Sequence, residues 1–206
     1  MSPSEPRGFV IGIVGAESTG KSVLAEAITA RLGAEGLTVA HVGEALREFC
    51  DRLGRTPRRD EQAAIADLQT ARIEAAARSH ALVVADTTAL MTAVYSDIVF
   101  GDTGLYPVAE QAHRRCDLTL LTALDLPWVA DGLQRDGPQV RVPVDRRVRA
   151  ALQRAGVGHA LIAGTGDART EAAMAAVRHA LEGRPVGVAS PLNSAPSTPA
   201  PGRPAA

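Results

Sequence analysis

The chain has little of what most binding classes depend on. Its net charge is −1, with 22 lysines and arginines against 23 acids. Charges that nearly cancel leave no basic stripe to neutralise a phosphate backbone, so nucleic acid and an anionic membrane surface are poor partners. The two cysteines, Cys50 and Cys116, lie far apart and match no metal or redox spacing, so they read as small buried hydrophobes in a reducing compartment. The five histidines (His41, His80, His113, His159 and His179) share no ligand spacing either, which argues against a metal cage. No apolar run approaches the roughly 18 residues of a transmembrane helix. The short run Phe9–Val14 leads toward Gly20-Lys21-Ser22 rather than a small-residue cleavage site, so no signal peptide is expected and the protein reads as cytoplasmic. Aromatic residues make up only 3%, so few side chains are available to stack on a ring.

What is present is a core. Apolar residues make up 46% of 206 positions, enough for one α/β domain and too few for two. Residues 1–7 read as a loose arm and 8–183 as the domain. Residues 184–206, rich in Pro, Ala and Ser, cannot bury enough apolar surface to offset their ordering entropy and read as a disordered tail. Within the domain, unbroken apolar runs at Phe9–Val14, Thr38–Val42, Ala81–Ala85, Leu118–Leu121 and Ala160–Ala163 alternate with helical patterns. Such runs are strands buried on both faces, as in a parallel sheet covered by helices. The expected fold is α/β, a doubly wound five-stranded parallel sheet with helices on both faces. Arg59–Ser79 reads as one long helix with Ile65, Leu68, Ile73 and Ala76 inward. A helix is expected over Val144–Ala155, after a charged Gly- and Pro-containing segment at Asp125–Pro143.

Between the first strand and first helix lies Gly15-Ala16-Glu17-Ser18-Thr19-Gly20-Lys21-Ser22, a full match to G-x-x-x-x-G-K-[ST]. The glycines allow backbone angles and close approach that a Cβ blocks, and the loop N–H groups and helix N-terminus then face phosphate oxygens. Lys21 is placed to bridge the outer phosphates, the Ser22 hydroxyl to ligate Mg²⁺, and Val23 follows in the first helical turn. ATP with Mg²⁺ is the expected cofactor pair. A P-loop needs a carboxylate at a nearby strand end, and Asp86, closing Leu82-Val83-Val84-Ala85, is the candidate for the metal; capping the next helix is its alternative role. Thr87 follows where mechanical ATPases place a water-activating Glu. The only asparagine, Asn193, lies in the tail, so the guanine-reading Asn-Lys-x-Asp signature is absent. Phosphoryl transfer to an acceptor other than water remains.

These motifs, together with Glu44-Ala-Leu-Arg47-Glu48-Phe49, Asp86-Thr87, Phe100-Gly101 and Trp128-Val-Ala-Asp131-Gly132-Leu133, resemble the ribosylnicotinamide kinase domain of NadR-type bacterial NAD-biosynthesis proteins, from about Phe9 to Leu181. The resemblance implies ATP-dependent phosphorylation of the 5′-hydroxyl of nicotinamide riboside. It implies that Glu44 and Arg47 sit beside a small-molecule acceptor, that Asp86 faces the metal or the attacking hydroxyl, and that Asp125–Pro143 is a lid. Asp131, Arg135 and Arg141 would close over the phosphates, with Trp128 either stacking on the substrate or anchoring the lid hinge. Glu44 and Asp86 both qualify as the base, with Asp86 preferred and Glu44 as ribose binder. The chain departs from the family at Thr88, Gln134 and Ala130. Another nucleoside as acceptor, or an ATP-binding regulatory module, are the other readings.

Overall fold

The computed structural model describes residues 7–129 and 137–182. Five strands, β1 (Phe9–Val14), β2 (Val39–Val42), β3 (Leu82–Asp86), β4 (Leu118–Thr122) and β5 (Ala160–Ile162), form one all-parallel sheet in the order β2-β3-β1-β4-β5. Seven helices surround it among the described residues: α1 (Lys21–Ala34), α2 (Ala45–Leu53), α3 (Gln62–Ser79), α4 (Ala89–Phe100), α5 (Tyr106–His113), α6 (Arg141–Ala155) and α7 (Gly166–Glu182).

The two-residue period of a strand divides the core. Ile11, Ile13, Leu82 and Val84 face one side and pack on Leu24 and Ile28 of α1 and Met174 and Val177 of α7. Val10, Val83 and Ala85 face the other, against Ala77 of α3, and Val14 and Leu121 meet Leu90 and Val94 of α4 and Val148 and Leu152 of α6. β1 and β3 are therefore buried on both faces as expected, the edge strands β2 and β5 are partly exposed at His41 and Leu161, and the α/β expectation holds.

Several local expectations need correction. Arg7, assigned to a loose arm, makes a two-pronged ion pair with Asp117, whose Oδ2 also accepts the Val10 N–H at 2.8 Å. The long helix opens with a 3₁₀ turn at Arg59–Glu61 before α3, and Leu68 points outward, 45% exposed. Asp86 does not cap α4; the Thr88 hydroxyl does, accepting the Leu90 N–H at 3.3 Å. Helix α6 starts at Arg141 rather than Val144, so Arg141 stands in a first helical turn. Cys50 is buried as expected, and Cys116 is partly exposed with its thiol pushed up to about 12 by burial of the sulfur. Asp131, Arg135 and the tail 184–206 lie outside the described residues.

One buried polar chain ties α5 to the sheet. His113 lies 2.9 Å from the Thr88 hydroxyl through Nδ1 and 3.0 Å from the Thr119 hydroxyl through Nε2. Burial pushes its pKa down to about 4 from an ordinary 6.5, so it folds neutral. The unfolded chain binds that proton first as pH falls, so stability is lost between about 6.5 and about 4 and changes no further below. The shift corresponds to a loss of about 3 kcal/mol. Denaturant titrations at pH 7.5 and 4.5 should show it, and His113→Gln should flatten that dependence; an unchanged slope in His113→Gln would assign the acid sensitivity elsewhere.

Candidate functional site

Parallel register brings four strand ends to one level. Val42 pairs with Ala85, Ile13 with Asp86 and Val14 with Leu121. Glu44 follows β2, Asp86 ends β3, Gly15 follows β1 and Thr122 ends β4. The order reverses around β1, since β1 and β2 are separated by β3 while β4 lies on the opposite side. This is the topological switch point at which open α/β sheets place ligands.

The loop Gly15–Gly20 is built tightly on that edge. Gly15 has φ +152°, and a Cβ there would lie 2.0 Å from Thr122 Oγ1. Gly20 has φ +72° and starts α1 in the left-handed region. The buried Thr19 hydroxyl lies 2.7 Å from the Ala16 carbonyl and 2.7 Å from Thr122 Oγ1. From the far side, Arg169 of α7, 4% exposed, donates to the Thr19 carbonyl (2.9 Å), the Gly164 carbonyl (2.9 Å) and Asp125 (2.9 Å). Asp125 in turn accepts the Gly164 N–H at 2.6 Å, and these bonds hold its carboxyl below its ordinary range. Thr122 and Arg169 escaped sequence reasoning. Neither belongs to a motif, and each acts through a contact more than a hundred residues away.

Lys21 donates to the Ala16 carbonyl at 2.9 Å. Burial lowers its pKa, opposed by Glu44, Asp86 and Glu17 and assisted by Arg47. Burial raises the pKa of Glu44, with Asp86 adding to the rise and Lys21 and Arg47 opposing it. Arg47 stands 3.6 Å from Glu44 one helical turn on. Lys21, Glu44, Arg47 and Asp86 therefore sit in one electrostatic cluster. Gln69 of α3 holds this edge together: its Oε1 accepts the Ala45 N–H at 2.8 Å and its Nε2 donates to the Thr87 carbonyl at 3.4 Å. Thr87 has φ +84°, a conformation costly for a threonine. Gln69 was read only as part of a helix; its 1% exposure on a polar side chain is a property of the fold.

A narrow cleft of about 40 Å³ opens beside the loop. Glu17, Glu44, Arg47, Tyr95 and Trp128 line it. The Val129 N–H donates to the Ser18 hydroxyl at 2.8 Å, which holds the Trp128 segment over the loop. Glu17 of the phosphate loop borders this cleft, and both its carboxylate oxygens are buried. Val23 is 72% exposed at the start of α1. Arg141 is buried and donates to the Leu126 carbonyl at 2.8 Å, while its Nε and Nη2 have no hydrogen-bond partner among the described residues.

Mg²⁺ fits the groups present. Among the described residues no three His, Cys, Asp or Glu form a metal cluster. Mg²⁺ needs none, since it keeps several waters and takes one or two carboxylates plus substrate phosphates. Asp86 is 3% exposed, with Oδ1 buried and without a hydrogen-bond partner among the described residues, as a carboxylate left for a hydrated cation.

A profile of the AAA domain matches residues 10–169, most of the chain. The chain belongs to the AAA domain family. It is a P-loop nucleotide-binding domain of that family. Two of the solved structures that resemble this AAA domain are NadR proteins. One is described as NadR protein in complex with NR, with TM-score 0.68 and 21% identity over 88% of this chain and 51% of that one. The other is NadR protein in complex with NAD and AMP-PNP, with TM-score 0.67 and 21% identity over 85% and 50%. The AAA domain thus spans about half the length of these NadR chains, and at this identity the likeness is one of fold. No curated protein matches. No helix among the described residues is long and apolar enough to cross a membrane.

Lys21 is the only lysine in the chain, which gives a direct readout of phosphate binding. Its lowered pKa raises the fraction of free amine near neutrality. Trace acetylation at pH 8 should modify Lys21, read by peptide mass, and Mg²⁺–ATP should protect it at least tenfold. Labelling indifferent to ATP would remove Lys21 from the phosphate site.

Proposed function

We propose that this domain is an ATP-dependent small-molecule kinase, with nicotinamide riboside as the acceptor and nicotinamide mononucleotide as the product. The observation that carries the proposal is the adjoining of two sites. A phosphate loop with its lysine shares a wall with a cleft that holds a buried carboxylate and two aromatic rings. The NadR structure bound to NR supports the same acceptor, as the one bound to AMP-PNP supports an ATP-like donor.

The roles follow from placement. Lys21 leaves the Ala16 carbonyl for the outer phosphates, which restore the charge balance that burial disturbs. The loop N–H groups and the N-terminus of α1 hold the remaining phosphate oxygens. Ser22 and Asp86 hold Mg²⁺, which when bound neutralises charge developing on the transferring group. Glu44 lines the acceptor cleft and Asp86 does not, so Glu44 is assigned as the base and Asp86 as the metal carboxylate. That reverses the preference for Asp86 as base drawn from sequence. Its raised pKa makes Glu44 a better proton acceptor than an ordinary carboxylate. Arg47 orients it. Arg141 supplies a buried guanidinium whose two open donors suit phosphate oxygens. The cleft is several times smaller than a nucleoside, so acceptor entry requires the Ser18–Val129 bond to open. Its re-formation would exclude water, the competing acceptor.

The test is ADP and nicotinamide mononucleotide formation with ATP, Mg²⁺ and the riboside. ADP production should depend on the riboside and yield mononucleotide in equal amount; no riboside-dependent ADP would refute the proposal. Lys21→Ala should abolish turnover. Glu44→Gln should lower kcat by roughly 10²–10⁴-fold. In the wild type kcat/KM should fall with acid through a pKa above the ordinary 4.5. An acid limb retained in Glu44→Gln would return the base role to Asp86.

A further inference from the structure

We infer that Gln69 of α3 is a positioning residue of the transfer site, setting the spacing of the two strand ends that carry Glu44 and Asp86. The inference deepens the kinase reading above and rests on it. β2 and β3 pair from Val39 opposite Leu82 to Val42 opposite Ala85, and there their ladder ends. Glu44 and Asp86 lie just past that last pair. Asp86 is still held on its other side by β1, opposite Ile13. Glu44 follows an edge strand and has no second strand beside it. A base and a metal carboxylate need a fixed separation, because a misplacement of about 1 Å can cost roughly a hundredfold in rate.

Gln69 bridges the two ends. Its Oε1 accepts the Ala45 N–H at 2.8 Å and its Nε2 donates to the Thr87 carbonyl at 3.4 Å, so each bond lands on the residue that follows one of the two carboxylates. Ala45 opens α2, and Glu44 at the N-cap makes no side-chain cap bond. Gln69 thus satisfies one of the helix-start N–H groups that lack an intrahelical partner, and Glu44 stays uncommitted to capping. At the other end Thr87 holds φ +84°, a conformation that a β-branched residue keeps only where its surroundings impose it. The Gln69 amide supplies one such constraint at its carbonyl. The task requires a donor and an acceptor on one planar group at this reach. A carboxamide has both, a glutamate would set an acceptor against the Thr87 carbonyl, and an asparagine is one methylene short. Ala45, Gln69 and Thr87 are all buried, so loss of the amide leaves both backbone groups unpaired. The electrostatics respond to the same spacing: Asp86 raises the pKa of Glu44, and both raise that of Lys21.

The test uses Gln69→Met, which keeps the side-chain length and removes both bonds. Gln69→Asn, with the amide drawn back, is the milder second variant. Ile73→Ala is the control, since Ile73 packs α3 on Val10 and Val83 away from the strand ends. In the riboside assay both Gln69 variants should lower kcat, Gln69→Met by roughly tenfold to a hundredfold, with the KM for ATP within about threefold. Ile73→Ala should lose thermal stability through its cavity while kcat stays within about twofold of wild type. A second readout needs no turnover. Glu44 and Asp86 stabilise the Lys21 charge, so released strand ends should raise trace acetylation of Lys21 in the nucleotide-free protein by about twofold or more. Ile73→Ala should leave that labelling unchanged. Unaltered kcat and labelling in either folded Gln69 variant, or equal changes in Ile73→Ala, would overturn the role of Gln69 while leaving the kinase reading standing. A wild type that does not turn over the riboside would bring down the kinase reading, and the labelling comparison would then decide by itself whether Gln69 fixes the two ends.

Discussion

The site depends on the common level at which four parallel strands end. Register fixes Ile13 against Asp86 and Val14 against Leu121, so the phosphate loop leaves the sheet between a carboxylate and a threonine. Thr122 is the hard stop. Its hydroxyl occupies the place where any side chain at position 15 would go, and it also lies within hydrogen-bond distance of the Thr19 hydroxyl. A loop of backbone N–H groups can serve as an anion cradle only if its shape does not relax when no anion is present. Thr122 below and Arg169 behind supply that rigidity from β4 and α7, through bonds to the loop's own atoms.

Electrostatics adds a second layer. Lys21, Glu44, Arg47 and Asp86 stand close enough to perturb one another, and burial pulls Lys21 and Glu44 toward their neutral forms. In the proposed kinase a triphosphate and a metal would bring opposite charges into this cluster and favour the ionised forms of Lys21 and Glu44.

How much of this could be read from residues alone divides along a physical line. Strands buried on both faces announce themselves by composition, so β1, β3 and β4 were legible to within a residue or two. The phosphate loop was legible because its chemistry is local: every group in it comes from eight consecutive positions. Asp86 was legible because strand ends are where such sheets bind ligands, whereas Glu44 came only through the family resemblance. What was not legible acts across the chain. Gln69, Thr122 and Arg169 sit in ordinary helix or strand positions and gain their roles only from partners 18 to 150 residues distant. Arg141 was found as a residue but misplaced as an element, since Pro143 suggests a helix starting later. Proline is tolerated within a first turn, and α6 begins two residues before it. Leu68 followed the helical period yet faces solvent, because apolar spacing along α3 does not say which of two adjacent stripes meets the sheet.

The central claim is that donor and acceptor meet across the wall formed by Glu44, Asp86 and the phosphate loop. A crystal structure of the protein with AMP-PNP, Mg²⁺ and nicotinamide riboside tests it most directly. The account predicts the riboside 5′-oxygen hydrogen-bonded to Glu44 and in line with the terminal phosphoryl group, with Asp86 in the metal's shell. A riboside bound away from Glu44, or a 5′-oxygen held by Asp86 with Glu44 turned aside, would contradict it.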